Sequence, residues 1–198
     1  MNDRGIAICA VLIIALLIVP ACAAPAAQTP QRLPRLIVDA SVGSDFAALA
    51  QETWGQFLTA FRARTSCFGA VYLHAAAVLD SRAAYDPKTA TVTVRVPGTR
   101  AMLQSALVHE WAHHVEFQCP AQKDLRPAFL AAQGLPPDTL WRPDDTPAKT
   151  PESEWATIPS EQYAEATIEV VLGRRQIPTT ARVSVEAVHV IAQWAAGQ

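Results

Sequence analysis

Two histidines with a carboxylate between them are the residues of this chain best suited to chemistry. Residues 109–113 read His-Glu-Trp-Ala-His. In a helix, His109 and His113 lie one turn apart on one face, so both rings can reach one metal ion. Glu110 lies beside them, where its carboxylate can contact a water on that ion. Zinc lowers the pKa of such a water to about 7. The spacing therefore predicts a Zn²⁺ site with Glu110 as general base.

A row of carboxylates downstream offers a third ligand. Glu161, Glu165 and Glu169 lie four residues apart after Ser160, which is a residue type that caps helices. One interpretation is a solvated acidic face, which is common on helices. The functional interpretation is one metal ligand and one carboxylate that holds a metal-binding histidine.

Both groups need helices that position them, and the pattern of apolar residues predicts such helices. Thr91–Val96 alternates with period two, as a strand does, and Pro97-Gly98 ends it. Thr99 can then cap a helix that runs to Gln118 and carries His109 in its middle. The other predicted elements are strands at 36–38 and 68–73, and helices at 45–63 capped by Ser44, 127–133, 160–172 closed by Gly173, and 184–195.

Length and composition limit the domain organisation and the partners. The chain has 198 residues, 51% of them hydrophobic and 17% charged, which suits one core rather than two full-sized domains. A net charge of −2 gives no basic surface for nucleic acid, so no nucleic-acid partner is expected. We predict one folded domain over residues 36–198 and make no prediction of its oligomeric state.

The N-terminus is typical of an export signal. Arg4 precedes an apolar run from Ile6 to Val19, which is short for a membrane span but typical of a signal peptide over residues 1–21. The run ends before Ala21-Cys22, which resembles a bacterial lipobox and predicts lipidation of Cys22. Cleavage nearby without lipidation is the alternative. Residues 22–35 are rich in Ala, Pro and Gln and indicate a flexible tether. We therefore expect an exported protein, either a bacterial envelope lipoprotein or a secreted protein, which meets a membrane only through its signal or lipid.

Two cysteines remain for the folded domain. Cys67 and Cys119 form an even pair in a chain that is predicted to reach an oxidising compartment. We expect a disulfide between them. A metal-binding role for Cys119 is weaker, because it lies six residues after His113. Two buried free thiols are the remaining alternative.

These motifs resemble those of the gluzincin metallopeptidases. In that family a His-Glu-x-x-His helix supplies two zinc ligands, and a glutamate on a later helix supplies the third. The resemblance covers residues 91–172 and implies that His109, His113 and Glu161 bind zinc and that Glu165 orients His109. Alternatives for the third ligand are Glu165 itself, or Glu152 or Glu154 from the preceding loop.

The resemblance also implies a fold and a substrate. The expected fold is α+β and zincin-like: a small, mostly antiparallel sheet packed with an N-terminal helix, the His-Glu-x-x-His helix and a later Glu-bearing helix. Thr91–Val96 would be the sheet edge beside the cleft and would pair with a peptide or protein substrate. Larger members of the family stabilise the oxyanion with a Tyr or His, for which Tyr163 and His189 are weak candidates.

The remaining aromatic and histidine residues are assigned structural roles. Trp111 is expected in the core and His114 in solvent. His189 is expected to be half-buried, and His74 structural. The function predicted from the sequence is zinc-dependent hydrolysis of peptide bonds. The alternatives are a zincin fold that binds metal or peptide with little turnover, and a structural envelope lipoprotein without metal. The Pro-rich segment 135–159 has the composition of a lid, a plug or a partner-binding loop.

Overall fold

A computed structural model describes residues 33–143 and 151–198 of the protein. The predicted signal peptide, Cys22 and most of the predicted tether lie outside these residues. The fold of the described chain mixes helices with a small sheet. Its elements are β1 (Arg35–Val38), α1 (Ser44–Ala60), β2 (Ala70–Ala76), β3 (Ala83–Asp86), β4 (Thr91–Arg95), α2 (Arg100–Gln118), α3 (Gln122–Ala132), α4 (Glu152–Trp155), α5 (Pro159–Leu172) and α6 (Val185–Ala196).

The sheet has four strands in the order β1-β2-β4-β3. β1 pairs with β2 and β2 pairs with β4 in parallel, and β3 pairs with β4 antiparallel. The expectation of a mostly antiparallel sheet was therefore wrong. The physical reason is the connections. α1 crosses from β1 to β2, and a helical crossover lets neighbouring strands run in the same direction. β4 follows β3 as its antiparallel partner and lies between β3 and β2, so it runs parallel to β2.

The edge strand beside the site is β3, which the sequence did not predict. The predicted edge strand, Thr91–Val96, lies in the interior of the sheet as β4, so that expectation was wrong too. A turn at Asp86 joins the two strands, and the Asp86 carboxylate accepts a hydrogen bond from the Lys88 amide at 2.9 Å. β3 reads Ala-Ala-Tyr-Asp, which lacks the β-branched residues that mark a strand.

A cluster of buried aromatic residues packs α1 against α2. Trp54, Phe57, Phe61 and Trp111 are buried, and the rings of Trp54 and Trp111 meet edge to face at 4.9 Å. The prediction that Trp111 belongs to the core is confirmed. One side of α2 packs in this core, and the opposite side faces α5. The polar residues of the predicted site lie on the facing sides of these two helices.

Helix ends follow the predicted capping chemistry only in part. The prediction that Ser44 caps α1 was wrong: Ser44 is the first residue of the helix, after Gly43, and its hydroxyl donates to the Asp45 carboxylate instead of accepting from a helix amide. α5 begins at Pro159 rather than at Ser160, and no side chain caps it.

Thr99 caps α2, and its hydroxyl accepts a hydrogen bond from the Met102 amide at 3.3 Å. Gly173 follows α5 at a φ of 73°, a conformation that favours glycine. α3 begins at Gln122, earlier than predicted, and accommodates Pro127. α4 forms in a segment for which the sequence predicted irregular structure.

The predicted disulfide between Cys67 and Cys119 is present. It joins the segment before β2 to the residue that follows α2, with a sequence separation of 52 residues. Closing a loop of that length stabilises a fold by about 4 kcal/mol in the chain-entropy model. The bridge therefore fastens the C-terminal end of the helix that carries both histidines.

Candidate metal centre

Three side chains that sequence analysis selected converge on one point between α2 and α5. Nε2 of His109 and Nε2 of His113 are 3.2 Å apart, and each is 3.2 Å from Oε2 of Glu161. His109 and His113 come from consecutive turns of α2, and Glu161 from the first turn of α5. These three residues form a buried group that could hold a metal ion.

The spacing of the three atoms fits a tetrahedral ion. An ion with bonds of about 2.0–2.1 Å to its ligands separates those ligands by about 3.3 Å. The triangle of 3.2 Å sides has the size of one face of such a tetrahedron. Three lone pairs cannot face one another at that distance unless a proton or a cation lies among them. The donor set therefore fits a small cation with one coordination position left open.

A carboxylate and a guanidinium hold the ring of His109. Its Nδ1 donates to Oε1 of Glu165 at 2.9 Å. Arg175, just beyond α5, forms an ion pair with the same carboxylate and donates to the Glu165 backbone carbonyl at 2.9 Å. The carboxylate fixes the proton on Nδ1, so Nε2 offers its lone pair to the centre. We call His109, Glu165 and Arg175 the first arm.

A second set of the same composition holds His113. Its Nδ1 donates to Oε2 of Glu116 at 3.1 Å, one turn along α2. Arg142, in the segment after α3, donates to the same oxygen at 3.2 Å and to Oε1 of Glu161 at 3.3 Å. Nη2 of Arg142 lies 3.0 Å from Nδ1 of His113, since both nitrogens donate to one oxygen. We call His113, Glu116 and Arg142 the second arm.

The net charge of the centre is compatible with a divalent cation. Its four carboxylates, on Glu110, Glu116, Glu161 and Glu165, are each at most 7% exposed. Arg142 and Arg175 supply two positive charges, so the ionised group with neutral imidazoles carries −2. A divalent cation neutralises that charge.

Protons compete for the same place. Burial alone lowers the pKa of His109, but hydrogen bonds with Glu161 and Glu165 raise it to about 10. The pKa of His113 is raised for similar reasons, although burial opposes it. Burial alone raises the pKa of Glu161, yet the charge of His113 and the hydrogen bond with His109 bring it well below its ordinary value. A metal ion bound here would displace protons from the two rings, so its affinity would fall with acidity.

Glu110 points into a cleft beside this point. It lines a cavity of about 540 Å³ together with His109, His113 and Glu161. Burial raises the pKa of the Glu110 carboxyl, and the charge of His109 opposes that shift. Glu110 is absent from the group of converging ligand atoms. Glu110 is therefore a buried carboxylate with a raised pKa beside the candidate metal site.

The cleft has two walls of different origin. One is formed by the edge of the sheet, with Ala83 and Tyr85 of β3 among the lining residues. The other includes α4, where the ring of Trp155 stacks on His109 with centroids 5.8 Å apart. Both walls come from short elements that have little pattern of their own in the sequence. The first wall forms because β3 pairs with β4. The second wall forms because Trp155 of α4 packs against His109.

Other residues considered in the sequence fall outside the centre. Tyr163 is buried against Phe129 and Trp141, and His189 is exposed rather than half-buried; neither lines the cleft. Glu152 lines the cleft, where its carboxylate accepts a hydrogen bond from Thr180, and Glu154 does not line it. Neither belongs to the group of converging ligand atoms.

His114 corrects a further expectation. It is fully buried rather than solvated, because its Nε2 donates to the carbonyl of Phe68 at 2.7 Å and its Nδ1 accepts from the Tyr85 hydroxyl at 3.0 Å. Burial lowers the pKa of His114 to about 4. His74 lies at the sheet surface with Nδ1 2.6 Å from Asp39, which agrees with a structural role.

Four residues at the centre were not predicted from the sequence: Glu116, Arg142, Trp155 and Arg175. Glu116 had a usable signal, because it follows His113 by three residues and lies on nearly the same helix face. Arg142 and Arg175 lie in irregular segments, where periodicity says nothing about direction. Trp155 lies in a four-residue helix inside a Pro-rich stretch.

No family model, curated protein or solved structure matches the chain, so the fold and the site geometry are the basis for its classification. Among the described residues, no helix has the length and apolar character needed to cross a membrane. The class that fold and site define is an α+β protein with a candidate mononuclear metal centre on a helix pair.

Proposed function

We propose that this protein is a zinc-dependent peptidase of the gluzincin type. The observation that carries the proposal is the convergence of two imidazole nitrogens and one carboxylate oxygen at mutual distances of 3.2 Å, beside a buried glutamate in an open cleft. Two His and one Glu with a fourth position open is the ligand set of catalytic zinc sites in metallopeptidases. Structural zinc sites instead close all four positions with protein ligands.

Glu110 performs the proton transfers in this proposal. His109, His113 and Glu161 would hold a zinc ion, which would supply a Lewis acid and would lower the pKa of a bound water to about 7. The carboxylate of Glu110 then takes the proton of that water as it attacks the peptide carbonyl. The same carboxyl passes the proton to the nitrogen of the leaving amine. Its burial supports this role, because a raised pKa brings the base closer to neutral pH.

The free edge of β3 supports a peptide as the substrate. The Arg82 carbonyl accepts a hydrogen bond from the Arg95 amide at 2.9 Å, so residues 82, 84 and 86 direct their backbone groups toward β4. The backbone groups of Ala83 and Tyr85 therefore point to the open edge, along the cleft, where the Ala83 carbonyl already accepts one hydrogen bond from the Ser81 hydroxyl. An extended peptide can add there as a further strand, with its carbonyl groups close to the metal centre.

The test is the substitution Glu110→Gln. It should keep one zinc per chain and lower the rate of casein or peptide hydrolysis by about 10²–10⁴-fold. Glu154→Gln is the matched control, since Glu154 is exposed and lies outside the cleft, and it should cleave like the wild type. Hydrolysis by Glu110→Gln at the wild-type rate contradicts the mechanism. Zinc binding without hydrolysis identifies a binding protein, and an absence of zinc identifies a structural one.

We propose also that the chain is exported and anchored through lipid on Cys22. The support is the sequence pattern alone, Ala21-Cys22 after an apolar run. Expression of the full chain in a bacterial host, followed by mass spectrometry of the mature N-terminus, tests it. A diacylated Cys22 supports the anchor, and Cys22→Ala should then release the protein from the membrane fraction. A free N-terminus near residue 22 indicates secretion instead.

A further inference from the structure

We propose that one end of the cleft is a subsite for an aromatic side chain of the substrate, formed by Phe117 on α2 and Tyr85 on β3 beside the guanidinium of Arg142. The inference rests on the proposed peptidase function and adds a substrate class to it. All three residues line the cleft, on the second-arm side of the metal centre. The preferred substrates are therefore peptides with an aromatic residue close to the bond that is cleaved.

Phe117 is a large apolar side chain that the fold leaves uncovered in the cleft. It is 46% exposed, and among the large hydrophobic side chains exposed in the described part of the chain it alone lines the cleft. It follows Glu110 by seven residues, which is about two helical turns, so it lies on nearly the same face of α2 as the proposed general base. Removal of this surface from water favours binding of an apolar group.

Tyr85 forms a second side of the subsite, and its position is fixed. Its ring lies 6.0 Å from the ring of Phe117, at an interplanar angle of 36°. Its hydroxyl donates to Nδ1 of His114 at 3.0 Å and accepts from Nε2 of Gln118 at 3.3 Å. Because these bonds restrict the side chain before a ligand binds, little further entropy is lost on binding.

Strand pairing with β3 brings a substrate side chain to this place. The backbone groups of Tyr85 point to the open edge of the sheet, so one residue of an added strand lies directly opposite Tyr85. Residues opposite one another direct their side chains to the same face of a sheet, and the Tyr85 side chain contacts α2. Phe117 lies about 6 Å beyond His113 along the helix axis, the rise of four residues, and an extended peptide covers that distance in about two residues. The subsite therefore takes a side chain within about two residues of the cleaved bond.

The charges around the subsite favour an aromatic side chain over a charged one. The guanidinium carbon of Arg142 lies 5.6 Å from the centre of the Phe117 ring. The charge of Arg142 is paired with Glu116 and Glu161, so a substrate carboxylate would meet an arginine that already has two acidic partners. A substrate lysine or arginine would bring a like charge beside Arg142. An aromatic ring brings no charge, its face attracts a guanidinium, and its edge packs well against other rings.

The experiment compares peptides that differ at one position. Zinc-loaded wild-type protein is given matched peptides with Phe, cyclohexylalanine or Glu at each of the two positions on either side of the bond it cleaves. Cyclohexylalanine is close in size to Phe but has no aromatic ring. We expect kcat/KM at the responsive position to be about 2–12-fold higher for Phe than for cyclohexylalanine, the effect of an aromatic contact, and lowest for Glu. Phe117→Leu, which keeps an apolar side chain, should remove most of the difference between Phe and cyclohexylalanine.

Tyr72→Leu is the matched control. Tyr72 is 44% exposed, about as much as Phe117, but it lies on β2 and does not line the cleft, so this variant should keep the preference for Phe. The subsite proposal is wrong if wild type cleaves the cyclohexylalanine or Glu peptides as fast as the Phe peptides at every position, or if Phe117→Leu keeps the wild-type preference.

Binding of the same peptides to Glu110→Gln, measured by fluorescence anisotropy, separates failure of the subsite from failure of the proposed function. Tighter binding of the Phe peptide that is lost in Phe117→Leu/Glu110→Gln supports the subsite even if wild type cleaves nothing. Equal binding of all three peptides overturns it.

Discussion

The two arms that hold the histidines have the same composition but different construction. In the first arm His109 on α2 bonds to Glu165 on α5, and Arg175, shortly after α5, bonds to Glu165 in turn. In the second arm His113 bonds to Glu116 on the same helix, and Arg142 comes from an irregular segment 26 residues after Glu116. The guanidinium side chains also differ in exposure, 15% for Arg175 and 33% for Arg142.

The two arms share one role and differ in another: both orient a histidine ring, but they contribute differently to the stability of the fold. Both arms orient a ring, since a carboxylate on each Nδ1 directs each Nε2 to the same point. The first arm is also part of the packing between α2 and α5, so it contributes to the stability of the fold. Arg142 lines the cleft and contacts Glu161. Glu165 and Arg175 line the cleft as well, so the arms differ in hydration rather than in distance from the cleft. The more exposed Arg142 can lose a partner to water at less cost.

The largest expected difference is in stability. Glu165→Ala leaves the Arg175 guanidinium buried without its partner, and breaking such a pair costs about 3–5 kcal/mol in free energy of unfolding. Glu116→Ala should cost clearly less, because Arg142 is partly hydrated and keeps Glu161. Urea denaturation in excess chelator measures both without a contribution from metal. The double variant Glu165→Ala/Arg175→Met should recover part of the loss. Equal losses in the two single variants contradict the proposed difference between the arms.

The two arms should contribute to metal affinity to a similar extent. Glu165→Gln and Glu116→Gln each keep a side-chain oxygen but lose the charge that holds the imidazole. Each should weaken zinc binding by about 10–100-fold, the usual effect of removing a carboxylate behind a ligand histidine. Competition with a chromophoric chelator measures this. A loss confined to one variant shows that only one ring is held by its arm.

Helix pattern explains how much of the centre was predictable. His109, His113, Glu161 and Glu165 all lie on long helices with a clear apolar period, so their faces follow from the sequence. Thr99 before α2 and Gly173 after α5 mark one end of each helix, whereas no side chain caps the start of α5. The arginines of both arms could not be placed, because irregular backbone carries no period that fixes a direction. For the same reason the parallel sheet and β3 were missed: strand order depends on crossovers and pairing rather than on local composition.

A third histidine on α2 provides an internal control for both arms. His114 lacks a carboxylate partner, and burial lowers its pKa to about 4 from 6.5. Between these values the unfolded chain binds a proton that the folded protein does not. His114 therefore makes stability fall as the pH drops from about 6.5 to 4, by about 1.4 kcal/mol per pH unit. The ring resonances in NMR spectra should not titrate above about pH 5, and titration near 6.5 contradicts its burial.

The smallest effect concerns the stacking partner of the first arm. Trp155 covers the His109 ring, and no comparable aromatic stack on His113 occurs in the described part of the chain. Trp155→Leu should weaken zinc binding by about 2–12-fold, which corresponds to about 0.5–1.5 kcal/mol for an aromatic contact. Chelator competition measures it, with Trp194→Leu on α6 as the control outside the cleft. An unchanged affinity indicates that Glu165 alone orients His109.

Zinc content tests the central claim most directly, namely that His109, His113 and Glu161 hold one catalytic ion. Purified wild type and Glu110→Gln, measured by elemental analysis after dialysis, should each carry about one zinc per chain. His113→Ala and Glu161→Ala should carry essentially none while keeping their helical circular dichroism. A folded wild type without zinc, or a folded His113→Ala that retains it, contradicts the account.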